Sequence, residues 1–248
     1  MSFIAIGSAK ASPGATSLAV GLSLTWQATT NRQAMLIEAD ADGGVMAARF
    51  GLASNPSLLE LSGTARHELS LQGLQTNCQM LADQVPCLVA PGCGNTVSLV
   101  LSSMATRLAT SFSQFGELDG IADIGRIRLN TQSAKLIECC DLLIVVARPE
   151  FEQLVPLVHL ARTLQTQNIP SVLVCIGDRP YPPAEMAKTS GLNLLGVMAH
   201  DSRVNQALLS GLPEQSRSHR LLLWRTLSEL AQRIQQRLSR ASSSRVAA

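Results

Sequence analysis

Residues 3–17 read Phe3-Ile4-Ala5-Ile6-Gly7-Ser8-Ala9-Lys10-Ala11-Ser12-Pro13-Gly14-Ala15-Thr16-Ser17. An apolar stretch gives way to a run of small residues, and two hydroxyls follow. The first part predicts a buried strand, the middle a tight loop, and Thr16-Ser17 the opening of a helix. In that layout backbone N–H groups and a helix N-terminus can cradle phosphate groups. The position before Thr16, where such a loop places its phosphate-binding lysine, is Ala15. The scaffold of a phosphate site is therefore legible, and one of its main chemical groups is missing.

Outward from this loop, short apolar runs alternate with helical patterns. Strands are expected over Phe3–Gly7, Ala34–Glu38, Pro86–Ala90, Gly120–Asp123, Leu142–Ala147, Ser171–Ile176 and Leu194–Val197. Helices are expected over Thr16–Thr30, Val45–Arg49, Val97–Phe115, Gln132–Cys140, Phe151–Gln167 and Arg203–Ser210, with a last one over Arg220–Leu238. Alternation of this kind marks βαβ units. Strands that are apolar along their whole length belong to a sheet covered on both faces. The expected fold is a three-layer α/β domain, a mostly parallel sheet between two helix layers. It spans residues 1–240 as one unit, with a flexible Ser-rich tail over 241–248.

Composition narrows the function. Apolar residues make up 46% of the 248 and charged residues only 15%, which describes a globular chain. Aromatics at 3% are too few for a base-stacking surface, and a net charge of +2 gives the body no strongly charged partner. Six cysteines show neither CxxC pairs nor neighbouring histidines, so buried reduced thiols are expected. No apolar run is long enough to span a bilayer, and no basic leader precedes the first strand. A cytoplasmic protein is the expectation.

Carboxylates follow two of the strands. Glu38, Asp40 and Asp42 lie in Glu38-Ala39-Asp40-Ala41-Asp42-Gly43-Gly44, and Asp123 lies in Gly120-Ile121-Ala122-Asp123-Ile124-Gly125. A strand-end carboxylate near a phosphate loop can hold Mg²⁺ through water or position an attacking water. Taken singly, each such aspartate also suits a turn or helix cap. Arg126 and Arg128 beyond them offer further positive charge or simply solvated loop positions.

Lys10-Ala11-Ser12-Pro13-Gly14-Ala15-Thr16-Ser17 resembles the deviant Walker A motif, KGGxGK[ST][ST], of the ParA/MinD family of partitioning and positioning ATPases. Three further segments resemble family landmarks in the same order: Leu36-Ile37-Glu38-Ala39-Asp40, Cys140-Asp141-Leu142-Leu143-Ile144-Val145-Val146-Ala147-Arg148-Pro149-Glu150, and Leu195-Gly196-Val197-Met198-Ala199-His200-Asp201-Ser202-Arg203-Val204. The resemblance covers residues 3–240. It implies ATP or ADP with Mg²⁺, an ATP-dependent homodimer, a protein adaptor, and a role in positioning a cellular assembly. Residue by residue, it makes Lys10, Ala11, Ser12, Gly14, Ala15, Thr16 and Ser17 the phosphate loop. Lys10 is then the signature lysine that reaches the partner subunit's nucleotide; from the residues alone it can also serve in cis in place of the missing loop lysine, or stand as an exposed lysine at the loop crest. Thr16 is the Mg²⁺ hydroxyl, Asp40 orients the hydrolytic water, and Asp123 is the Walker B acid. Glu38 stands where an aspartate supports the metal's water shell, and Asp178 where the adenine amine is met, although Pro180, Pro182 and Pro183 just beyond make a turn role for Asp178 an equal alternative.

The departures from the motif shape the expected activity. Ala15 removes a cation from the β- and γ-phosphates, Ala11 and Ser12 replace glycines, and Pro13 offers no N–H. Loss of one charge-assisted contact weakens affinity by roughly ten- to a hundredfold, and hydrolysis should suffer more. A weakly hydrolysing switch is the leading reading; a pseudo-ATPase scaffold acting through protein contacts is the alternative, and a metabolic enzyme on the same scaffold a third. The absence of paired cluster-ligand cysteines argues against an iron–sulfur reductase.

From Arg217 onward the chain carries seven arginines and one acid, Glu229. Leu223, Leu227, Leu230, Ile234 and Leu238 form one helical stripe that suits packing on the domain. The resemblance adds two other roles for this region: non-specific DNA contact, or contact with a membrane surface. It would place the protein at the periphery of nucleoid or membrane.

Overall fold

The computed structural model describes residues 2–10, 13–64, 69–81, 85–201 and 222–246. Eight strands form one sheet: β1 (Phe3–Ser8), β2 (Gln33–Glu38), β3 (Gln79–Met80), β4 (Pro86–Leu88), β5 (Leu118–Arg126), β6 (Leu142–Ala147), β7 (Ser171–Ile176) and β8 (Leu194–Met198). Their order is β3-β4-β2-β5-β1-β6-β7-β8. All neighbours run parallel except β3 with β4. The helices are α1 (Ala15–Thr30), α2 (Met46–Phe50), α3 (Leu58–Thr64), α4 (Leu71–Asn77), α5 (Gly94–Ser111), α6 (Ala134–Cys139), α7 (Phe151–Thr166), α8 (Pro183–Ser190) and α9 (Leu222–Val246).

Alternation along the strands sorts the core into two layers. Ala5, Ile37, Ala122, Leu143, Val145 and Leu173 pack with α3, α5, α6 and α7. Ile4, Ile6, Leu36, Ile121, Ile144, Val146 and Val174 pack with α1 and α9. Helix α1 is buried on nearly every side because α9 covers it from outside. Its buried hydroxyls are satisfied internally: Ser23, Thr25 and Thr30 donate to the carbonyls of Ala19, Gly21 and Trp26. This is the three-layer α/β fold the periodicity predicts.

Each of the seven expected strands is present. Missed were the two-residue β3, whose pairing partner supplies its only strand signal, and the short helices α3, α4 and α8. The expected helix over Arg203–Ser210 lies outside the described residues. The expected break at Ala241 is corrected: α9 continues to Val246, and the Ser239 and Ser243 hydroxyls donate to carbonyls four residues back. Its stripe (Leu223, Leu227, Leu230, Ile234) is buried on the domain, as expected. No helix among the described residues is long and apolar enough to cross a membrane.

All six cysteines are free, and burial pushes the Cys140 and Cys175 thiols up to about 12. Cys93 departs from the expected burial: it is exposed, at the N-cap of α5.

Candidate functional site

The carboxyl ends of β1, β2, β5 and β6 meet where successive strands pass to opposite sides of β1, the place where parallel sheets bind ligands. Strand β1 ends at Ser8, and α1 starts at Ala15. Gly14 caps α1 at φ 112°, ψ 24°, a left-handed conformation that a side chain would strain, and it packs against Ile176 at the end of β7. Among the described residues no side chain caps this helix, which leaves the amides of its first turn suited to an anion. Ala15 and Ser17 are buried, and Thr16 is half-buried. Ala11 and Ser12 lie outside the described residues.

Thr16 leads directly to Asp123. Parallel pairing sets Asp123 opposite both Ile6 and Glu38. The carboxylate is buried and receives the Thr16 hydroxyl and the Gly125 N–H, the latter at 3.1 Å. Burial pushes its pKa up to about 6, with Asp40 and Glu38 adding repulsion and the two hydrogen bonds opposing the shift. At neutral pH the group is largely ionised and incompletely compensated.

Asp40 stands beside it at the end of β2. Burial raises its carboxyl above the usual range, while the Asp42 N–H, 2.9 Å from Oδ1, pulls the other way. Gly125, at φ 61°, backs onto this carboxyl so closely that a methyl group would overlap it. Asp42 points outward instead and forms a two-pronged pair with Arg128 at 2.7 and 3.0 Å, which lowers its pKa. Arg128 is thereby engaged, whereas Arg126 is exposed and acts on Asp40 and Asp42 through charge alone.

Glu38 is held by backbone amides. It is buried, its Oε1 accepts from the amides of Val45 (2.5 Å) and Met46 (2.8 Å), and its Oε2 accepts from that of Ala90 (2.9 Å). These bonds make it a clamp that caps α2 and ties β2 to the end of β4. Lys10 is also engaged: its Nζ lies 3.3 Å from Glu152 Oε2 in the first turn of α7. Asp178 is exposed on the turn after β7, where Gly177 adopts φ 78°. Among the described residues no three His, Cys, Asp or Glu side chains are grouped to hold a metal ion.

Two features of this region were not singled out from sequence. Glu152 gave no signal beyond its place in an expected helix. Arg148, a charge directly after six apolar strand residues, gave a positional one. Its Nε is sealed from solvent with no hydrogen-bond partner, and its Nη1 lies 4.0 Å from Glu150.

No family model matches the chain, and no curated relative does. Solved structures do. A ParA family ATPase from Chlorobium tepidum superposes with a TM-score of 0.80 at 16% identity, covering 93% of this chain and 98% of the other. The septum site-determining protein MinD of Pyrococcus horikoshii, complexed with Mg-ADP, gives 0.75 at 18% identity over 94% and 95%. A plasmid partition protein from Borrelia burgdorferi, bound to AMPPNP, gives 0.70 at 12% identity over 95% and 99%. The sheet order, the loop after β1 and the near-complete mutual coverage converge: this chain has the P-loop fold of the ParA/MinD ATPases.

Proposed function

We propose that the protein is a ParA/MinD-like nucleotide-binding switch that dimerises around ATP, hydrolyses it slowly, and positions a cellular assembly through an adaptor. The observation that carries this reading is the uncapped, glycine-led start of α1 with the Thr16 hydroxyl on the buried Asp123. The same cradle is what a triphosphate needs: free amides for its oxygens and a hydroxyl for Mg²⁺. The Chlorobium, Pyrococcus and Borrelia structures support it, the latter two carrying Mg-ADP and AMPPNP.

In this site the residues fit Mg-ATP in part. The α1 amides would bind phosphate oxygens and the Thr16 hydroxyl would bind Mg²⁺, with Asp123 accepting from the metal's water shell. Mg²⁺ usually takes one or two protein groups and completes its shell with water and phosphate, so a three-carboxylate cluster is not required. Bound there, the ion would neutralise phosphate charge. Asp40, held by Gly125 and the Asp42 N–H, would accept a hydrogen bond from the attacking water and align it with the γ-phosphate. With Ala15 contributing no cation, charge developing in the transition state is poorly met, so turnover is slow. Lys10 would leave Glu152 to reach a partner's nucleotide, and an exposed pair of this kind costs little to break. Asp178 remains a candidate for the adenine amine. The reading places the protein in the cytoplasm, with the arginines of α9 available to DNA or a membrane surface.

Titration calorimetry with Mg-ATP and Mg-ADP, and light scattering for oligomeric state, test the reading. Binding together with ATP-dependent dimerisation is expected. The absence of nucleotide binding at millimolar concentration overturns it and favours the second reading, a non-hydrolysing scaffold. That alternative draws on Ala15 and on the Lys10–Glu152 pair, which leaves the loop's one lysine occupied.

A further inference from the structure

Arg148 is the group whose surroundings call for a ligand. In β6, Leu142, Ile144 and Val146 face the α1 layer, while Leu143, Val145 and Ala147 face the other. Arg148 continues the first series just past the strand's carboxyl end. Ser8 pairs with Val146, so Arg148 stands two residues beyond that pair, as Lys10 does on β1. The β6–β7 register, which pairs Ala147 with Cys175, brings Ile176 to the level of Arg148, and Ile176 in turn packs against Gly14 at the start of α1.

The guanidinium is in an unfinished state. Its Nε is excluded from water and has no acceptor among the described residues, an arrangement native proteins avoid unless something else completes it. The side chain is nevertheless 39% exposed, so part of its donor fork is open. Glu150 at 4.0 Å is too distant for a hydrogen bond. A planar fork of N–H donors matches two phosphate oxygens at once, and an arginine keeps its charge at any physiological pH. The loop alongside lacks such a charge: Ala15 has none, and Lys10 is paired with Glu152.

We propose that Arg148 is the in-subunit phosphate-binding cation of the nucleotide site, supplying from the end of β6 the charge that Ala15 does not supply from the loop. The inference rests on the nucleotide-binding reading and assigns it a residue. An arginine here would grip the polyphosphate from the side of the cradle and leave Lys10 free for its other partner.

Calorimetry of the full chain with Mg-ATP tests it, using wild type, Arg148→Gln and Arg148→Lys, each also melted without nucleotide. Arg148→Gln is expected to bind about ten- to a hundredfold more weakly, the size of one charge-assisted contact. Arg148→Lys, which keeps the charge and loses the fork, should bind about three- to tenfold more weakly. Both should melt within about 2 °C of wild type. Wild-type binding with Arg148→Gln inside twofold overturns the inference and leaves the nucleotide reading standing. Equal loss in both variants together with a lowered melting temperature assigns Arg148 a structural role and also overturns it. No binding by wild type removes the nucleotide reading and the inference together. Should Arg148→Gln not fold, Arg148→Lys decides, and affinity equal to wild type overturns the proposal.

Discussion

Strand β5 carries two buried aspartates four residues apart, both on the α1 side of the sheet, and they have been given opposite treatment. Asp119, at the start of the strand, accepts from the Ser2 amide at 3.0 Å and the Trp26 indole at 3.0 Å. It also takes a two-pronged bond from Arg32 at 2.6 and 2.9 Å. Asp123, near the other end, has the Gly125 amide and the Thr16 hydroxyl, and it faces Asp40 and Glu38. One anion is neutralised and fully bonded. The other is left short of positive charge among acids. Burial of a carboxylate costs free energy unless it is compensated, so the contrast separates an aspartate that builds the fold from one that the proposed function assigns to a cation's water shell.

Removal of the satisfied member should do the most damage. Asp119→Ala strands the Arg32 guanidinium and the Trp26 N–H, and a loss of about 3 kcal/mol in urea unfolding is expected. Nucleotide affinity of the folded fraction should not change. Equal stability would mean the network contributes nothing net.

Glu38 sits in the acidic group yet is bonded in the manner of Asp119, so Glu38→Gln is a sharper probe. The new amide would turn an N–H towards either the Ala90 amide or those of Val45 and Met46. A loss of about 2 kcal/mol should follow. With one repulsive charge gone, the Asp123 pKa should fall towards the ordinary range, as followed by carboxyl NMR titration.

Asp123→Asn should act in the opposite direction. A folded-state pKa raised from 3.8 to about 6 means the native state holds the proton more tightly than the unfolded chain. The group's favourable contribution is complete below about 4 and is lost as pH rises through about 6. The asparagine variant, free of Mg²⁺ and nucleotide, should be more stable at pH 7 by on the order of 1–2 kcal/mol. Its stability should also be flatter with pH between those values. A wild-type stability that climbs across this window would reverse the assignment.

The smallest effect is expected at Arg128→Ala. Its pair with Asp42 has good geometry but stands in solvent, so unfolding stability should change by less than about 0.5 kcal/mol. A larger loss would show that charge near Asp40 matters to the stability of this region.

Much of this pattern could be anticipated from residue order. The apolar runs of β1, β2, β5, β6 and β7 declare themselves because both faces are covered, and Thr16 at a helix start and Asp40 and Asp123 at strand ends are candidates from their places alone. What escaped depends on distant partners. Asp119 reads as an ordinary polar residue until Arg32 and Trp26 arrive from the far end of α1. Glu38 takes its role from the Ala90 amide, 52 positions away. Helix α8 begins on Pro183, the last of three prolines that read as a turn, and the pairing of Lys10 with Glu152 spans 142 residues. Local pattern carries the layers; long-range hydrogen bonding decides which acid is free.

The borders of the sheet have a consequence for how copies of this protein can be crowded together. At one border β3 is only two residues long and antiparallel, and the Gln79 side chain ties it to Ala53 and Pro56. At the other, Arg233 takes the Leu195 carbonyl beside β8, and the Thr226 hydroxyl takes the Ala199 N–H. Short or covered margins give an incoming strand little to zip onto. Two copies brought together are therefore steered away from edge-to-edge pairing of their sheets.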